Sequence, residues 1–582
     1  MFEDINHSGD GGIHGQLLRN NGFQGNDQTL TAYGAVGNAS LTVDSDNPLS
    51  SAIPYSLAVA VPEGVTGDVG FSNEGYWGFP VNADQYSTSF WIKGDYSGNV
   101  TIKLVGNYTG TEYASTTISD VSSNASAYAY YETSFESEQA PDGNNLWTLT
   151  FDSESTAGST LYFDLVTLYP TTFKSRANGL KPSVANALND MGASFLRFPG
   201  GNNLEGYSED NRWKWNETIG PLQDRPGRQG LIEYLEWCED MGLAPILGVW
   251  AGFALESGGN TPFTGDALTP YLDEVLNELE FLLGDASSTY GSQRAALGYS
   301  SPFNITHVEI GNEDYLGGGC SSYPERFTTY YDAIHAAYPD ITIIASAAYD
   351  SGGAACLPSP LPAGVMQDYH TYASETDLVA NFSQFDNANR SQPIFVGEFS
   401  CYSDASGTRN VLPFMACSVA EAVYMIGFER NADVVLMSTY APLLQLFNST
   451  QWTPDLVGFT PAGTVVRSTS YFVQQLFAQN WGTETRAVTA DTAFGPVYWS
   501  ASADGASTYV KLANYGESAQ SVSVNVDGAT QGSLTTLSGA QRAENSDTAG
   551  EVVQPVESTP DVSDGTFTVE LPAWGVAVLV AS

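Results

Sequence analysis

Two glutamates stand at positions suited to paired acid–base chemistry. Glu313 follows the apolar segment Val308–Ile310 in the sequence EIGNED, and Glu398 follows Ile394–Val396 in VGEFS. If these segments are strands of one parallel barrel, their carboxyl ends meet at the same mouth and the two carboxylates can face each other. Retaining glycoside hydrolysis needs such a pair about 5–5.5 Å apart, one as nucleophile and the other as acid and then base. Structural ion pairing is a weaker explanation, because the chain has only 20 Lys and Arg.

Residues 173–480 are predicted to form the (β/α)8 TIM barrel that positions these glutamates. Short apolar segments alternate there with amphipathic segments such as Leu180–Met191 and Tyr271–Leu283, as in a parallel barrel with helices outside. A barrel needs eight strands, and Met1–Asn6 is the candidate for the first. The predicted second to eighth strands are Ala193–Arg197, Ala244–Trp250, Val308–Ile310, Thr342–Ser346, Met366–His370, Ile394–Val396 and Val434–Ser438.

An all-β pattern is predicted on either side of the barrel. Residues 21–172 contain alternating strands such as Ser87–Lys93 and Thr160–Tyr169, separated by turn residues. They are interpreted as a β-sandwich of the carbohydrate-binding-module type, inserted after the first barrel strand, which lies with its loop in residues 1–20. Residues 481–582 are predicted to form a second, C-terminal β-sandwich. The expected fold is therefore multidomain, α/β in the barrel and all-β in the two sandwiches.

The charge balance excludes several classes of partner. Against 20 Lys and Arg the chain has 66 Asp and Glu, a net charge of −46. Such a surface repels nucleic acid and anionic membranes, and no apolar stretch approaches the roughly 20 residues of a membrane helix. The composition is typical of a secreted polymer-degrading protein, so an extracellular location is expected although no signal peptide precedes Phe2. Candidate glycosylation sequons begin at Asn6, Asn38, Asn99, Asn107, Asn124, Asn216, Asn304, Asn381, Asn389 and Asn448.

The five cysteines lack the CxxC spacing of a zinc site. Cys320 and Cys356 fall in the loops after predicted strands four and five, which lie side by side at the mouth of a barrel, so a disulfide between them is predicted. Cys238 lies in a helical pattern and is expected to be a buried free thiol. The sequence predicts no metal cluster and no cofactor-binding loop. It leaves open the presence of a structural calcium ion in one of the sandwiches.

Longer motifs resemble glycoside hydrolase family 51. These are FEDIN at Phe2–Asn6 with GDGG at Gly9–Gly12, RFPGGN at Arg197–Asn202, EIGNED and VGEFS. Members of this family are chiefly α-L-arabinofuranosidases, and the inserted sandwich resembles the fungal, secreted branch. One departure from the family is that the chain starts inside the first barrel strand; a separately cleaved N-terminal peptide is one way in which the fold could be completed.

The resemblance implies roles for individual residues. Glu313 corresponds to the acid/base of the family and Glu398 to its nucleophile. The residues that correspond to the arabinose-binding set are Glu3, Arg197, Asn202, Asn312 and Tyr372.

Three further residues are candidates for substrate binding. His370 is interpreted either as a site residue or as a core histidine. Trp215 stands in a loop after strand two, where an exposed indole would stack on a sugar face, although a core position is the alternative. Trp452 follows strand eight and is expected to line the same mouth.

The leading functional hypothesis is a retaining, exo-acting α-L-arabinofuranosidase that removes terminal arabinose from arabinoxylan or arabinan of plant cell walls. The alternatives are another clan GH-A hydrolase, such as an endo-β-glucanase or xylanase, and a non-catalytic carbohydrate-binding protein. An acid catalyst must be protonated when substrate binds, so the pKa of Glu313 is expected to be raised and the pH optimum acidic.

Overall fold

The structure is a computed structural model of the chain and describes residues 1–24, 28–226, 230–255, 261–349, 356–447, 449–505 and 507–582. No helix within these ranges is long and apolar enough to span a bilayer.

The N-terminal sandwich consists of two antiparallel sheets, ordered β1-β4-β9-β6-β7 and β2-β3-β10-β5-β8. Alternate side chains of each strand point between the sheets, where Phe71, Phe90, Trp147 and Phe163 form the core. The strands are β1 Tyr33–Val36, β2 Ser40–Asp44, β3 Ser56–Ala60, β4 Asp68–Asn73, β5 Gln85–Lys93, β6 Tyr96–Gly106, β7 Glu112–Ser123, β8 Ala129–Glu136, β9 Asn145–Asp152 and β10 Thr160–Pro170.

The middle of the chain is the predicted barrel. Strands β11 to β17 are parallel and lie in sequence order around the sheet. They are β11 Phe195–Phe198, β12 Ala244–Val249, β13 His307–Ile310, β14 Thr342–Tyr349, β15 Met366–Ser374, β16 Ile394–Ser403 and β17 Val435–Tyr440. The helices are α1 Pro182–Met191, α2 Gly201–Glu205, α3 Leu231–Met241, α4 Thr269–Leu283, α5 Thr289–Ala296, α6 Tyr323–Ala337, α7 Glu375–Ala380, α8 Met415–Arg430 and α9 Thr469–Gln479.

The first two residues occupy the place of the predicted first barrel strand, between β17 and β11. The backbone N–H of Phe2 donates to the carbonyl of Arg197 in β11 at 3.0 Å, and the amino group of Met1 donates to the carbonyl of Tyr440 in β17 at 2.9 Å. Met1–Asn6 forms no regular strand, but its start bridges the two edges of the sheet as predicted. Toward the amino ends of these strands, a cavity of about 530 Å³ lies between Phe195 and Met437.

The C-terminal sandwich packs against α8, which explains why this helix lacks a polar face. Every residue from Met415 to Phe428 is buried, because β22 (Val497–Ala503) and β23 (Thr508–Asn514) cover the side that faces away from the barrel. A small sheet precedes the C-terminal sandwich in the chain and consists of β18 Leu444–Leu446, β19 Val457–Phe459 and β20 Val465–Arg467. The strands of the sandwich are β21 Glu484–Thr485, β22 Val497–Ala503, β23 Thr508–Asn514, β24 Gln520–Asn525, β25 Gly532–Ser538, β26 Val556–Ser558, β27 Val562–Ser563, β28 Thr566–Leu571 and β29 Gly575–Ala581.

Two disulfides are present beside the mouth of the barrel. One joins Cys320 to Cys356, the predicted pair, with Cα atoms 5.1 Å apart. The other joins Cys401 in β16 to Cys417 in α8, and Cys238 is a buried free thiol. Closing these loops stabilises the fold by restricting the unfolded chain.

We expect peptide mapping of the unreduced protein to recover both pairs. Cys320 should appear linked to Cys356 and Cys401 to Cys417, while Cys238 should react with an alkylating agent only after unfolding, because it is buried. A reduced sample is the control. Alkylation of Cys320 before reduction, or its linkage to Cys401, would contradict the assignment.

Candidate active site

Glu398 lies within strand β16, which continues to Ser403 rather than ending at Val396 as predicted. Its Oε1 accepts a hydrogen bond from Nη1 of Arg197 at 2.8 Å, and its Oε2 accepts one from the hydroxyl of Tyr372 at 2.6 Å. Two donors, Tyr372 on the neighbouring strand β15 and Arg197 on the more distant strand of residues 195–198, therefore fix the orientation of this carboxylate.

Glu313 follows β13 in a strained backbone conformation. Its φ of +48° lies in the left-handed region that side chains other than glycine rarely adopt. Its Oε1 accepts hydrogen bonds from Nδ1 of His370 at 2.8 Å and from the hydroxyl of Tyr315 at 2.9 Å. Carboxylate oxygens of Glu313 and Glu398 lie within 4.8 Å of each other. The two glutamates thus face each other across the mouth.

His370 bridges the catalytic candidates to a buried aspartate. Its Nε2 lies 2.7 Å from Oδ2 of Asp368. Its Nδ1, which is hydrogen-bonded to Glu313, also lies 3.6 Å from Oε2 of Glu398. Burial alone would lower the pKa of His370, but the charges of Asp368 and Glu398 and its hydrogen bonds raise it well above the usual value. His370 is therefore a charged site residue and not a core histidine.

The pKa of Glu313 differs from the sequence-based expectation. Burial would raise it, but the hydrogen bond from His370, the charge of that imidazolium and the hydrogen bond from Tyr315 outweigh burial and lower it. The expected rise is therefore wrong for the unliganded protein: the proton is held on His370, and Glu313 is its ionised partner.

The guanidinium of Arg197, at the end of β11, donates hydrogen bonds to three side chains at once. Besides Glu398, its guanidinium donates to both oxygens of Glu309 in β13 and, through Nη2, to Oδ1 of Asn312 at 2.8 Å. The backbone N–H of Asn312 in turn donates to Oε1 of the buried Glu205 at 2.9 Å. With these contacts made, Nδ2 of Asn312 has no hydrogen-bond partner among the described residues. This donor is available to a ligand.

The RFPGGN segment brings Glu3 to the site. Gly201 has a φ of +53°, and a Cβ there would lie 2.2 Å from the carboxyl group of Glu3. Glycine at this position therefore allows Oε1 of Glu3 to accept a hydrogen bond from the backbone N–H of Asn202 at 2.7 Å. Burial, together with the charge of Glu398, raises the pKa of Glu3 to about 8.

Sequence comparison assigns this site to a family. The α-L-arabinofuranosidase 1 domain matches residues 187–390, and the α-L-arabinofuranosidase C-terminal domain matches residues 397–575. A probable α-L-arabinofuranosidase A of Aspergillus flavus is 59% identical across 100% of this chain and 93% of its own length. The α-L-arabinofuranosidase A of Aspergillus niger is 58% identical with the same coverage. The chain belongs to glycoside hydrolase family 51.

A solved family 51 structure supports this membership. The arabinose-bound α-L-arabinofuranosidase MgGH51 is 37% identical and superposes with a TM-score of 0.92, covering 100% of this chain and 96% of its own. An arabinose complex of a Thermotoga maritima α-L-arabinofuranosidase, 18% identical with a TM-score of 0.55, shares the fold over 69% of this chain.

Of the two tryptophans predicted from the sequence to contact substrate, Trp452 lies at the mouth and Trp215 does not. The ring of Trp452 packs 5.3 Å from that of Tyr372, with the guanidinium of Arg409 stacked 4.0 Å from its centre. The prediction of an exposed indole at Trp215 is wrong: the residue is 3% exposed, and its Nε1 donates to the carbonyl of Glu274. The loop after strand two folds inward over α4, so this indole stabilises the core and is not available to stack on a sugar.

The sequon at Asn6 is also contradicted. Its side chain is fully buried, accepts hydrogen bonds from the backbone of Gln451 and Trp452, and donates to Asp455, so a glycan cannot be attached there. Asn381 is partly buried, and Asn448 lies outside the described residues. The sequon asparagines exposed at the surface are Asn38, Asn99, Asn107, Asn124, Asn216, Asn304 and Asn389.

The inner side chains could also be considered as metal ligands. Atoms of Glu309, Asp368 and His370 lie within 4.8 Å of one another, as do those of Glu313, His370 and Glu398. In both groups every carboxylate already accepts a direct hydrogen bond from Arg197 or His370. The described carboxylates of this site are therefore held by ion pairs and hydrogen bonds with Arg197 and His370.

Asp368, Glu309 and Tyr315 belong to the site but were not predicted from the sequence. The first two are charged residues inside otherwise apolar strands, and that interruption was the signal that could have identified them. Asp368 also explains the glycine before Glu398, because its Oδ1 accepts from the N–H of Gly397 at 2.8 Å and a Cβ there would lie 2.2 Å away.

Proposed function

We propose that the chain is a retaining, exo-acting α-L-arabinofuranosidase that hydrolyses terminal non-reducing α-L-arabinofuranosyl residues of arabinoxylan or arabinan. One observation carries the proposal: carboxylate oxygens of Glu313 and Glu398 lie within 4.8 Å of each other. This spacing suits direct attack by one carboxylate, whereas an inverting enzyme leaves about 6.5–9.5 Å for a water molecule.

Glu398 is assigned as the nucleophile. Arg197 and Tyr372 hold its two oxygens with hydrogen bonds of 2.8 and 2.6 Å, which orients the carboxylate toward the anomeric carbon. Attack forms the glycosyl-enzyme ester as the bond to the leaving oxygen breaks. Water then attacks the anomeric carbon and releases the carboxylate, so two inversions give net retention.

Glu313 is assigned as the acid/base, with its proton supplied through His370. Nδ1 of His370 lies 2.8 Å from Oε1 of Glu313, so the proton can pass along that hydrogen bond as the leaving oxygen develops charge. In the second step Glu313 accepts a proton from the attacking water. The pair therefore titrates as a unit.

The remaining residues are placed around a single sugar. Asn312 offers its unpaired Nδ2 as a donor to a hydroxyl beside the anomeric carbon, and the protonated carboxyl of Glu3 offers both a donor and an acceptor. Trp452 supplies an apolar wall next to Tyr372. These contacts favour one enclosed terminal residue, which is what an exo-acting enzyme recognises.

The pH profile tests the shared proton. The wild-type pair stays protonated until the pH passes the raised pKa of His370. In His370→Gln, Glu313 alone holds the proton, so we expect the basic limb of kcat/KM to move to lower pH on a glycoside with a poor leaving group. A basic limb left unchanged by the substitution would contradict a proton shared between Glu313 and His370.

Substrate class is tested with 4-nitrophenyl glycosides. We expect release of 4-nitrophenol from the α-L-arabinofuranoside and not from the β-glucoside or β-xyloside, and release of free arabinose from arabinoxylan without shortening of its backbone. Backbone cleavage would instead favour an endo-glucanase or xylanase. That alternative and a non-catalytic role are not favoured, because relatives at 57–59% identity over the whole chain are named α-L-arabinofuranosidases.

We also propose that the protein is secreted and glycosylated and acts in hemicellulose degradation. Exposed sequons and two disulfides support an oxidising, extracellular setting. Treatment of the protein produced by a eukaryotic secretory host with an endoglycosidase should increase its electrophoretic mobility; unchanged mobility would count against glycosylation.

A separately cleaved N-terminal peptide is proposed as a partner of the barrel. The apolar cavity between Phe195 and Met437 supports it, because a further extended segment would bury that surface. Intact-mass analysis of the purified native enzyme under denaturing conditions should then reveal a second, shorter chain.

A further inference from the structure

The two outer faces of the N-terminal sandwich differ in chemistry. In the sheet that contains β6, the side chains that point away from the core are polar or aliphatic, as at Thr101, Lys103 and Leu146. In the sheet that contains β5, the outward positions hold three aromatic residues, Trp91, Tyr130 and Tyr162. A sandwich needs aromatic side chains only between its sheets, so this outer cluster requires another explanation.

Trp91 and Tyr130 form the centre of this cluster. They stand opposite each other in the register of β5 and β8, and their ring centroids are 5.1 Å apart. Tyr130 is 47% exposed, and its hydroxyl donates to Glu132 at 2.9 Å. Two adjacent aromatic rings held on rigid strands at the surface match the apolar CH faces of successive sugar rings.

A polar layer lies directly beside these rings. Asp164 pairs with Trp91 in the register of β10 and β5, and Ser56 lies at the neighbouring position of β3. Asp164 is 1% exposed, yet its Oδ2 has no hydrogen-bond partner among the described residues, whereas the buried hydroxyl of Ser56 pairs with that of Tyr128. Burial raises the pKa of Asp164 well above its usual value, which favours the neutral carboxyl form, able to donate and to accept.

Such an orphaned oxygen costs stability unless a ligand or water satisfies it. Asp164 points to the same side of the sheet as Trp91, since the alternate residues Phe163 and Ile92 point into the core. A stacking surface and an unpaired carboxyl oxygen thus occur together, which is a combination that recognises carbohydrate. An apolar protein partner or a membrane would leave that oxygen unpaired.

We propose that this aromatic face, formed by Trp91, Tyr130, Tyr162, Asp164 and Ser56, binds a chain of neutral plant polysaccharide. A neutral polymer is favoured because the net charge of −46 repels polyanions such as polygalacturonate. The site itself does not depend on the proposed hydrolysis; only the choice of arabinoxylan as the polymer rests on it. Binding there would hold the barrel close to its substrate and raise the effective concentration of terminal residues.

Affinity electrophoresis in gels containing soluble arabinoxylan tests the site. The variants Trp91→Ala and Tyr130→Ala are compared in a Glu398→Gln background, so that the polymer is not degraded. Tyr108→Ala is the matched control, because Tyr108 is an 84% exposed tyrosine of the same sandwich at the turn between β6 and β7. Gels with polygalacturonate test the charge argument.

We expect Trp91→Ala to raise the dissociation constant for arabinoxylan by roughly tenfold, because the stacking surface is lost. Tyr130→Ala should weaken binding by less, Tyr108→Ala should not weaken it, and polygalacturonate should retard none of the proteins. With Glu398 intact, the same substitutions should leave hydrolysis of 4-nitrophenyl α-L-arabinofuranoside unchanged.

Several results would overturn the proposal. Retardation of Trp91→Ala and Tyr130→Ala equal to that of the parent would do so, as would equal weakening by Tyr108→Ala. A change in oligomeric state in place of polysaccharide binding would make the face an interface between copies of the chain. If Trp91→Ala does not fold, the more exposed Tyr130 decides the test. Failure of all variants to cleave the nitrophenyl glycoside would contradict the proposed function and leave the binding result standing.

Discussion

Glu398→Ala is expected to lower kcat/KM on 4-nitrophenyl α-L-arabinofuranoside by about 10⁴-fold or more. The reason is geometric: Glu398 is the carboxylate that Arg197 and Tyr372 hold at 2.8 and 2.6 Å, and the side chain facing it, Glu313, is bound to His370 and Tyr315 instead. Without Glu398 no ester to the sugar forms, and an activated leaving group does not compensate, because bond cleavage still lacks its nucleophile.

The structural cost of this substitution must be separated from its chemical cost. Removing Glu398 leaves one donor of Arg197 and the hydroxyl of Tyr372 without their acceptors, so the melting temperature of Glu398→Ala is measured alongside activity. Azide added to this variant should occupy the vacated space and displace the leaving group directly, giving a β-configured glycosyl azide by a single inversion. Substantial residual activity in a folded Glu398→Ala protein, or an α-configured azide, would reject Glu398 as the nucleophile.

The chemistry was more predictable from sequence than its electrostatics. Glu313 and Glu398 could be found because a barrel brings the carboxyl ends of its strands to one mouth, whatever the details of packing. Which residue holds the catalytic proton could not be predicted, because it depends on a 2.8 Å contact between Glu313 and His370, which are 57 residues apart. The same limit hid Asp368, whose charge is what raises the pKa of His370 most.

The errors at the periphery have a similar cause. Trp215 and Asn6 were placed by their local sequence, a loop tryptophan and a sequon, but their exposure is decided by distant segments. The core around α4 buries Trp215, and the Gln451–Asp455 segment surrounds Asn6. Strand length was misjudged where polar residues enter a strand, since β15 and β16 continue through His370 and Glu398 to Ser374 and Ser403. His370, Tyr372 and Glu398 therefore lie on the strands themselves, which holds them more rigidly than loops would.

Glu313→Ala should show a leaving-group dependence that Glu398→Ala lacks. With a natural arabinoside or an alkyl glycoside, whose leaving oxygen needs a proton, we expect a loss of about 10²–10⁴-fold. With 4-nitrophenol as leaving group, formation of the glycosyl-enzyme should be affected much less, and its hydrolysis should become limiting because the base is missing. Azide needs no base, so it should accelerate turnover and give an α-configured glycosyl azide through two inversions. A β-configured product from Glu313→Ala would make Glu313 the nucleophile, and equal losses on both substrate types would remove it from proton transfer.

Tyr315→Phe is the matched control, because it deletes one hydrogen bond to Oε1 of Glu313 while the carboxylate and its contact with His370 remain. That variant should keep most of its activity and show no azide rescue, which ties the rescue to the missing carboxylate and not to a disturbed loop.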